Sequence, residues 1–365
     1  MSDTFEQAKT FFLQGLHHYQ QGRFEQAQTQ FEASLALLPG RPSTLANLGA
    51  CRVQLGRHDE AVALLDEALA QEPGDAGAWG HRATALAELG RLEQALDSVD
   101  RSLALEPRSG RGWGLRGNLL KDLGRPDEAI AAFEQAVALG HEVDLHRYFL
   151  AGLRGQAAAP APPRAYVELL FDGYADGFDQ HLVRRLGYRA PEVLAQPLRA
   201  AGGGAVDSAL DLGCGTGLCA PLLRPLARRL TGVDLSAGML ARARTLGLYD
   251  ELVQADLAEH LQATGARHDL VVAADVFVYV GALGAVFAGA ARVLRPGGVF
   301  AFSVEEATGG AELELRPSLR YAHAEGGLRR LAATHGFEVM RALRQPIRHE
   351  QGHPIAGLYL WLTKG

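Results

Sequence analysis

A 34-residue period governs the first part of the chain. Gly22, Gly56, Gly90 and Gly124 recur at that interval, each followed by arginine. Phe11, Leu45, Trp79 and Trp113 keep the same register, as do Ala27, Ala61, Ala95 and Ala129, and then Phe31, Leu65, Val99 and Phe133. A period of this length marks stacked repeats, in which each unit buries its apolar face only against its neighbours. Each unit reads as helix, turn, helix. A large apolar residue opens the first helix, glycine permits the sharp turn, and alanine lets the second helix approach closely. Pro39, Pro73 and Pro107 then stop the second helix. His141 stands where a fourth proline would fall, which predicts the end of the array.

This pattern resembles the tetratricopeptide repeat (TPR) over residues 5–141. The resemblance implies an all-α solenoid of four repeats whose first helices line a groove for a protein or peptide partner. The implied groove positions are Lys9, Phe12 and Leu16, then Ser43, Ala46 and Ala50, then Gly77, Gly80 and Thr84, then Arg111, Gly114 and Asn118. Small residues dominate, so the groove is expected to be shallow. A further helix over 141–153 should cover the open end of the stack. The alanines and prolines of 154–163 read as a semi-extended linker. The expected organisation is a repeat domain at 1–153, a linker at 154–163 and a second domain at 164–365.

The second half opens on a different signal. The apolar segment Val206–Leu212 carries Asp211 and runs into Gly213, Cys214, Gly215 and Gly217, followed by a helical pattern over 218–229. Strand, glycine-rich turn and helix bring bare backbone N–H groups to a ligand. A dinucleotide fold prefers G-x-G-x-x-G, whereas the spacing here is G-x-G-x-G. A second strand, 230–234, ends at Asp234, 23 residues after Asp211. An α/β unit returns a carboxylate to ribose hydroxyls at about that distance. Ser236 caps a helix over 237–246, and a third strand from Glu251 ends at Asp256 and Leu257. Any one of these acids would also serve as a helix N-cap; three at successive strand ends carry the inference.

Order and spacing together resemble class I S-adenosylmethionine-dependent methyltransferases, and the likeness covers about 200 residues. It extends to bacterial proteins in which such repeats are fused to a methyltransferase related to those of quinone biosynthesis. The resemblance implies an α/β Rossmann-like fold of seven strands with the last antiparallel: a fourth strand over 269–275, a helix over 281–294, a fifth strand over 299–304, then a helix over 326–335 and strands 337–341 and 357–362. It implies S-adenosyl-L-methionine as cofactor. Gly213, Gly215 and Gly217 would approach its methionine and ribose, with Cys214 chosen for small size. Asp211 would order the loop, Asp234 bind the ribose diol, Leu235 and Met239 flank adenine, and Asp256 and Leu257 complete that end.

The catalytic group is not legible. Direct displacement at a methyl carbon needs alignment and water exclusion more than a nucleophile, with a base in some cases. Tyr174, in the segment 166–188 before the first strand, and His323, in the long connection 305–325, are the candidates. The segment after the fourth strand departs from the Asn/Asp-Pro-Pro-Tyr/Phe of many amino-group methyltransferases, which argues against adenine or glutamine-amide acceptors. A small-molecule acceptor is expected; the alternatives are a protein side chain delivered by the repeats, or a cofactor-binding interaction protein without turnover. Net charge is −6 and neither half is basic, which argues against nucleic-acid binding. Three cysteines, an acidic start and no long apolar run point to a cytoplasmic chain with no membrane span, and thirteen scattered histidines without Cys or acids at ligand spacing argue against a metal site.

Overall fold

Each 34-residue unit folds into an antiparallel helix pair. The structure, a computed structural model, describes residues 2–155, 162–172, 186–200, 205–350 and 352–365. It divides into two compact units, 1–150 and 151–365. In the first, the pairs are α1 (Ser2–Gln20) with α2 (Phe24–Leu37), α3 (Pro42–Gln54) with α4 (His58–Gln71), α5 (Ala76–Glu88) with α6 (Leu92–Leu105), and α7 (Gly110–Asp122) with α8 (Pro126–Ala138). α9 (Val143–Leu153) follows. The turn glycines all adopt left-handed φ of 70–72°, where a Cβ would be strained.

Inside each pair, a second small-residue register sets how close the helices come. A Cβ on Gly15, Gly49 or Gly117 would stand 2.6, 2.7 or 2.5 Å from Phe31, Leu65 or Phe133. Those three large side chains are fully buried. His146 of α9 stacks on Phe133 with ring centroids 5.3 Å apart and closes over Gly114, where a Cβ would lie 2.8 Å from its Nε2. This corrects the expected groove: Ala46, Ala50 and Gly114 are buried rather than presented, because packing between helices takes the small side chains first.

The second unit begins with α10 (Arg164–Asp172) and α11 (Ala190–Ala200). Next come β1 (Val206–Leu212), α12 (Ala220–Leu223), β2 (Ala227–Asp234), α13 (Ala237–Thr245), β3 (Glu251–Gln254), α14 (Leu257–Ala263), β4 (His268–Ala273), α15 (Gly284–Val293) and β5 (Leu294–Glu306). β6 (Leu313–Leu315), β7 (Tyr321–His323), α16 (Glu325–Thr334), β8 (Phe337–Arg344), a hairpin of β9 (His349–Glu350) and β10 (His353–Pro354), and β11 (Gly357–Lys364) complete it. The sheet order is β3-β2-β1-β4-β5-β11-β8. The first five strands are parallel, and β11 inserts antiparallel between β5 and β8.

Both faces of the sheet are buried, and strand alternation assigns residues to them. Phe300, Phe302, Leu358, Leu360 and Leu362 enter one core; Ala301, Tyr359 and Trp361 enter the other, with α11. Each large side chain so buried contributes roughly 1.5–3 kcal/mol. Several boundaries differ from expectation, among them the fifth strand, expected over 299–304, which runs over Leu294–Glu306. The helix expected over 218–229 is one turn, α12, and a 3-10 turn, because β2 begins at Ala227 to pair Val206. The loop expected over 305–325 holds β6 and β7, with β7 paired to β5. The expected helix over 281–294 is preceded by a 3-10 turn at Phe277–Tyr279 and starts only at Gly284.

Candidate functional site

Strand order reverses between β1 and β4: the chain leaves β1 toward β2 and β3, then returns to β4 on the other side. Such a switch opens a crevice at the carboxyl ends of the strands. A cavity of about 360 Å³ lies there, lined by the turn after β1, the ends of β2 and β4, and parts of α10.

The glycine turn is held from two sides. Gly213 and Cys214 donate their N–H groups to the Val233 carbonyl at 2.8 and 3.0 Å. Asp234, ending β2, accepts from Gly215 N–H through Oδ2 at 2.8 Å and from Ser236 N–H through Oδ1 at 2.9 Å. Ser236 Oγ then accepts from Met239 N–H, capping α13. One carboxylate therefore fixes the turn, the end of β2 and the entry to the next helix. Asp256 caps α14, its Oδ1 accepting from Ala258 and Glu259 N–H at 2.9 and 3.0 Å; the same residue also lines the cavity.

Of the residues singled out in the sequence, Gly213, Cys214, Gly215, Asp234, Leu235, Met239, Asp256 and Leu257 all line this one cavity. Asp211 and Gly217 stand behind it. Asp211 is buried and accepts from the Tyr249 hydroxyl at 2.6 Å, a partner with no local motif to announce it. Burial pushes the Cys214 thiol far up, and Asp211 and Asp234 add to the rise; a protonated thiol is no nucleophile.

His323 is not among the lining residues. Its buried ring donates from Nε2 to the Gly281 carbonyl at 2.9 Å, and burial lowers its pKa to about 4. Tyr174 lies outside the described residues, as does most of the expected linker. The polar side of the cavity is made by Tyr188, Asp275, Tyr279, Arg320 and Arg348. The first four fall in segments the sequence pointed to, 166–188, the stretch after the fourth strand and 305–325. Sequence reasoning gave none of them a role and missed Arg348 altogether. Arg348 is 2% exposed. Its Nη1 and Nε donate to Asp275 and Glu350, each at 2.8 Å, and its Nη2 to Glu305.

Burial also pushes the Asp211 carboxyl up, to about 7, against the pull of Tyr249 and with the help of Asp234. An unfolded aspartate ionises near 3.8, so the folded state holds the proton more tightly. The resulting stability is complete below that value and lost as pH rises through about 7. Asp211→Asn keeps an acceptor for Tyr249 and removes the loss. Its urea midpoint relative to wild type should climb between about pH 4 and about pH 8; parallel profiles would refute the buried-acid account.

Residues 210–302 match a family described as a methyltransferase domain, and 12–76, 53–119 and 110–139 match tetratricopeptide repeats. Methyltransferase-like protein 27 of Homo sapiens is 42% identical over 102 residues, which is 27% of this chain and 41% of that protein. Malonyl-[acyl-carrier protein] O-methyltransferase of Yersinia pestis is 36% identical over 94 residues, 26% of this chain and 35% of that protein. The chain thus covers less than half the length of these curated relatives. Among solved structures, magnesium protoporphyrin IX methyltransferase from Synechocystis is 19% identical with a TM-score of 0.44, spanning 55% of this chain and 99% of its own.

Proposed function

We propose that this chain, which carries tetratricopeptide repeats and a methyltransferase domain, is an S-adenosylmethionine-dependent methyltransferase acting on a small-molecule acceptor. The observation that carries the proposal is the convergence of the glycine turn, Asp234, Met239 and Asp256 on one cavity at the switch point of the sheet. The residue types suit the cofactor. Asp234 would hold the ribose hydroxyls, Leu235 and Met239 the adenine faces, Asp256 and Leu257 the adenine edge, and Gly213 and Gly215 the amino-acid portion. Bound there, S-adenosylmethionine would supply a methyl group on sulfonium sulfur. The chain's own work is to orient the acceptor and exclude water.

A small acceptor is supported by the compactness of the cavity and the Phe171, Tyr188 and Tyr279 side chains that line it. The repeats support a second reading, in which a protein partner is bound or delivered as acceptor. Labelled methyl groups offered to metabolite and protein pools separate the two: label confined to protein, and lost without residues 1–153, would overturn the small-molecule assignment. Among the described residues no helix is long and apolar enough to cross a membrane. The three free cysteines suit a reducing, cytoplasmic setting.

Equilibrium binding tests the cofactor directly. S-adenosylhomocysteine should bind and NAD should not; the reverse would dispose of the proposal. Asp234→Ala should weaken S-adenosylhomocysteine by about 1–3 kcal/mol, the scale of charge-assisted hydrogen bonds lost from a buried diol. The upper end is expected because Gly215 and Ser236 lose their acceptor at the same time. An unchanged affinity in a folded variant would move the ribose elsewhere. The 164–365 segment should fold and bind S-adenosylhomocysteine alone, since its cores contain no residue of the repeats; calorimetry without heat of binding would refute that independence.

A further inference from the structure

One side of the cavity takes no part in holding adenosine as proposed. Tyr188, Asp275, Tyr279, Arg320 and Arg348 line it. Asp275 follows β4 in the left-handed region, with φ of 54°, and donates its N–H to Ser303 Oγ at 2.9 Å. Aspartate is among the few residues besides glycine that adopt that conformation, as single residues. The carboxylate is divided in role. Oδ2 accepts from Arg348 Nη1, while Oδ1 is buried and has no hydrogen-bond partner among the described residues. Native chains seldom leave a buried carboxylate oxygen without a donor, and a ligand is one way to supply it.

We propose that Asp275 Oδ1 is the proton acceptor for the methyl-accepting group and that this group is a neutral hydroxyl; the inference rests on the methyltransferase function proposed above. Charge selects the class. A carboxylate acceptor would face the Asp275 carboxylate, and an ammonium would face Arg320 and Arg348 in the same cavity. Arg348 has its Nε, Nη1 and Nη2 on Glu350, Asp275 and Glu305, and Arg320 is paired to Glu350. Arg316 holds the other oxygen of Glu305, so three arginines face three carboxylates and the balanced cluster favours a neutral donor.

In the transfer, the hydroxyl oxygen bonds to the methyl carbon as the carbon–sulfur bond breaks, its electron pair remaining on sulfur. The hydroxyl proton passes to Oδ1, so the positive charge of the sulfonium and the negative charge of the carboxylate disappear together. Burial raises the proton affinity of Asp275 while Arg348 opposes it, which suits a group that must start ionised and end protonated.

The test uses the full chain saturated with S-adenosylhomocysteine and two probes, 4-nitrophenol and 4-nitrobenzoate. Wild type should take 4-nitrophenol in its neutral form, so the phenolate absorption falls on binding at neutral pH, and should bind 4-nitrobenzoate at least about tenfold more weakly. In Asp275→Asn the absorption change should vanish and the gap between probes close. Equal affinity for both probes in wild type, or an unchanged spectrum in the variant, overturns the proposal and leaves Oδ1 to ordered water. If the variant does not fold, the two wild-type measurements still decide. Failure of S-adenosylhomocysteine to bind wild type would instead remove the methyltransferase function on which the inference rests.

Discussion

Arg348→Ala should destabilise the C-terminal unit by about 3–5 kcal/mol, the cost of removing one member of a buried ion cluster and leaving the others uncompensated. Arg348 is 2% exposed and Glu305 1%. Arg316 Nη1 still serves Glu305 Oε2 at 2.8 Å, but Glu305 Oε1 and Asp275 Oδ2 lose their donor. In a unit of this size each kcal/mol moves the melting temperature by roughly 2–4 °C, so a drop of order 10 °C is expected. Arg348→Lys keeps the charge but not the fork that reaches three carboxylates, and should recover only part of the loss. Thermal melts of the three proteins check this; an alanine variant melting within about 2 °C of wild type would show the cluster is not what holds β4, β5 and the β9–β10 hairpin together.

This arginine marks where the sequence ceased to be informative. The repeats were legible because their signals are local: turn glycine, apolar helix positions and stop fall within one period, and each unit meets only its neighbours. The side of the cavity proposed for adenosine was legible for a related reason. Parallel strands bring their carboxyl ends to one edge, so Asp234 and Asp256 could be grouped from spacing and order, whereas Asp211, grouped with them, stands behind the cavity. The polar side has no such rule. Asp275 and Arg348 are 73 positions apart, Asp211 and Tyr249 38 apart, and nothing local distinguishes Arg348 from surface arginines. The long 305–325 segment misled for the opposite reason. Length suggested a loop, but pairing of β7 against β5 is a tertiary preference that short, mixed segments such as Leu313–Leu315 do not advertise.

Gly213→Ala and Gly215→Ala separate the structural from the ligand-facing demand for glycine in the turn. Both residues are left-handed, with φ of 65° and 54°, so alanine costs each about 1–2 kcal/mol in backbone strain. Beyond that they differ. A Cβ at Gly213 would stand 2.2 Å from Val276 Cγ2 and 2.7 Å from its Cβ, and Val276 cannot yield without moving Asp275 and the 3-10 turn Phe277–Tyr279 behind it. Overpacking of that kind adds about 1–3 kcal/mol. At Gly215, which lines the cavity, a Cβ meets nothing within 4 Å. Gly213→Ala should therefore lower stability by about 2–5 kcal/mol, the sum of the two costs. Gly215→Ala should stay within about 2 kcal/mol of wild type in stability yet lose S-adenosylhomocysteine affinity by at least about tenfold. Denaturant midpoints and calorimetry on both variants distinguish the cases; equal stability of the two would refute the overpacking against Val276, and full ligand affinity in Gly215→Ala would mean that this turn does not face the ligand.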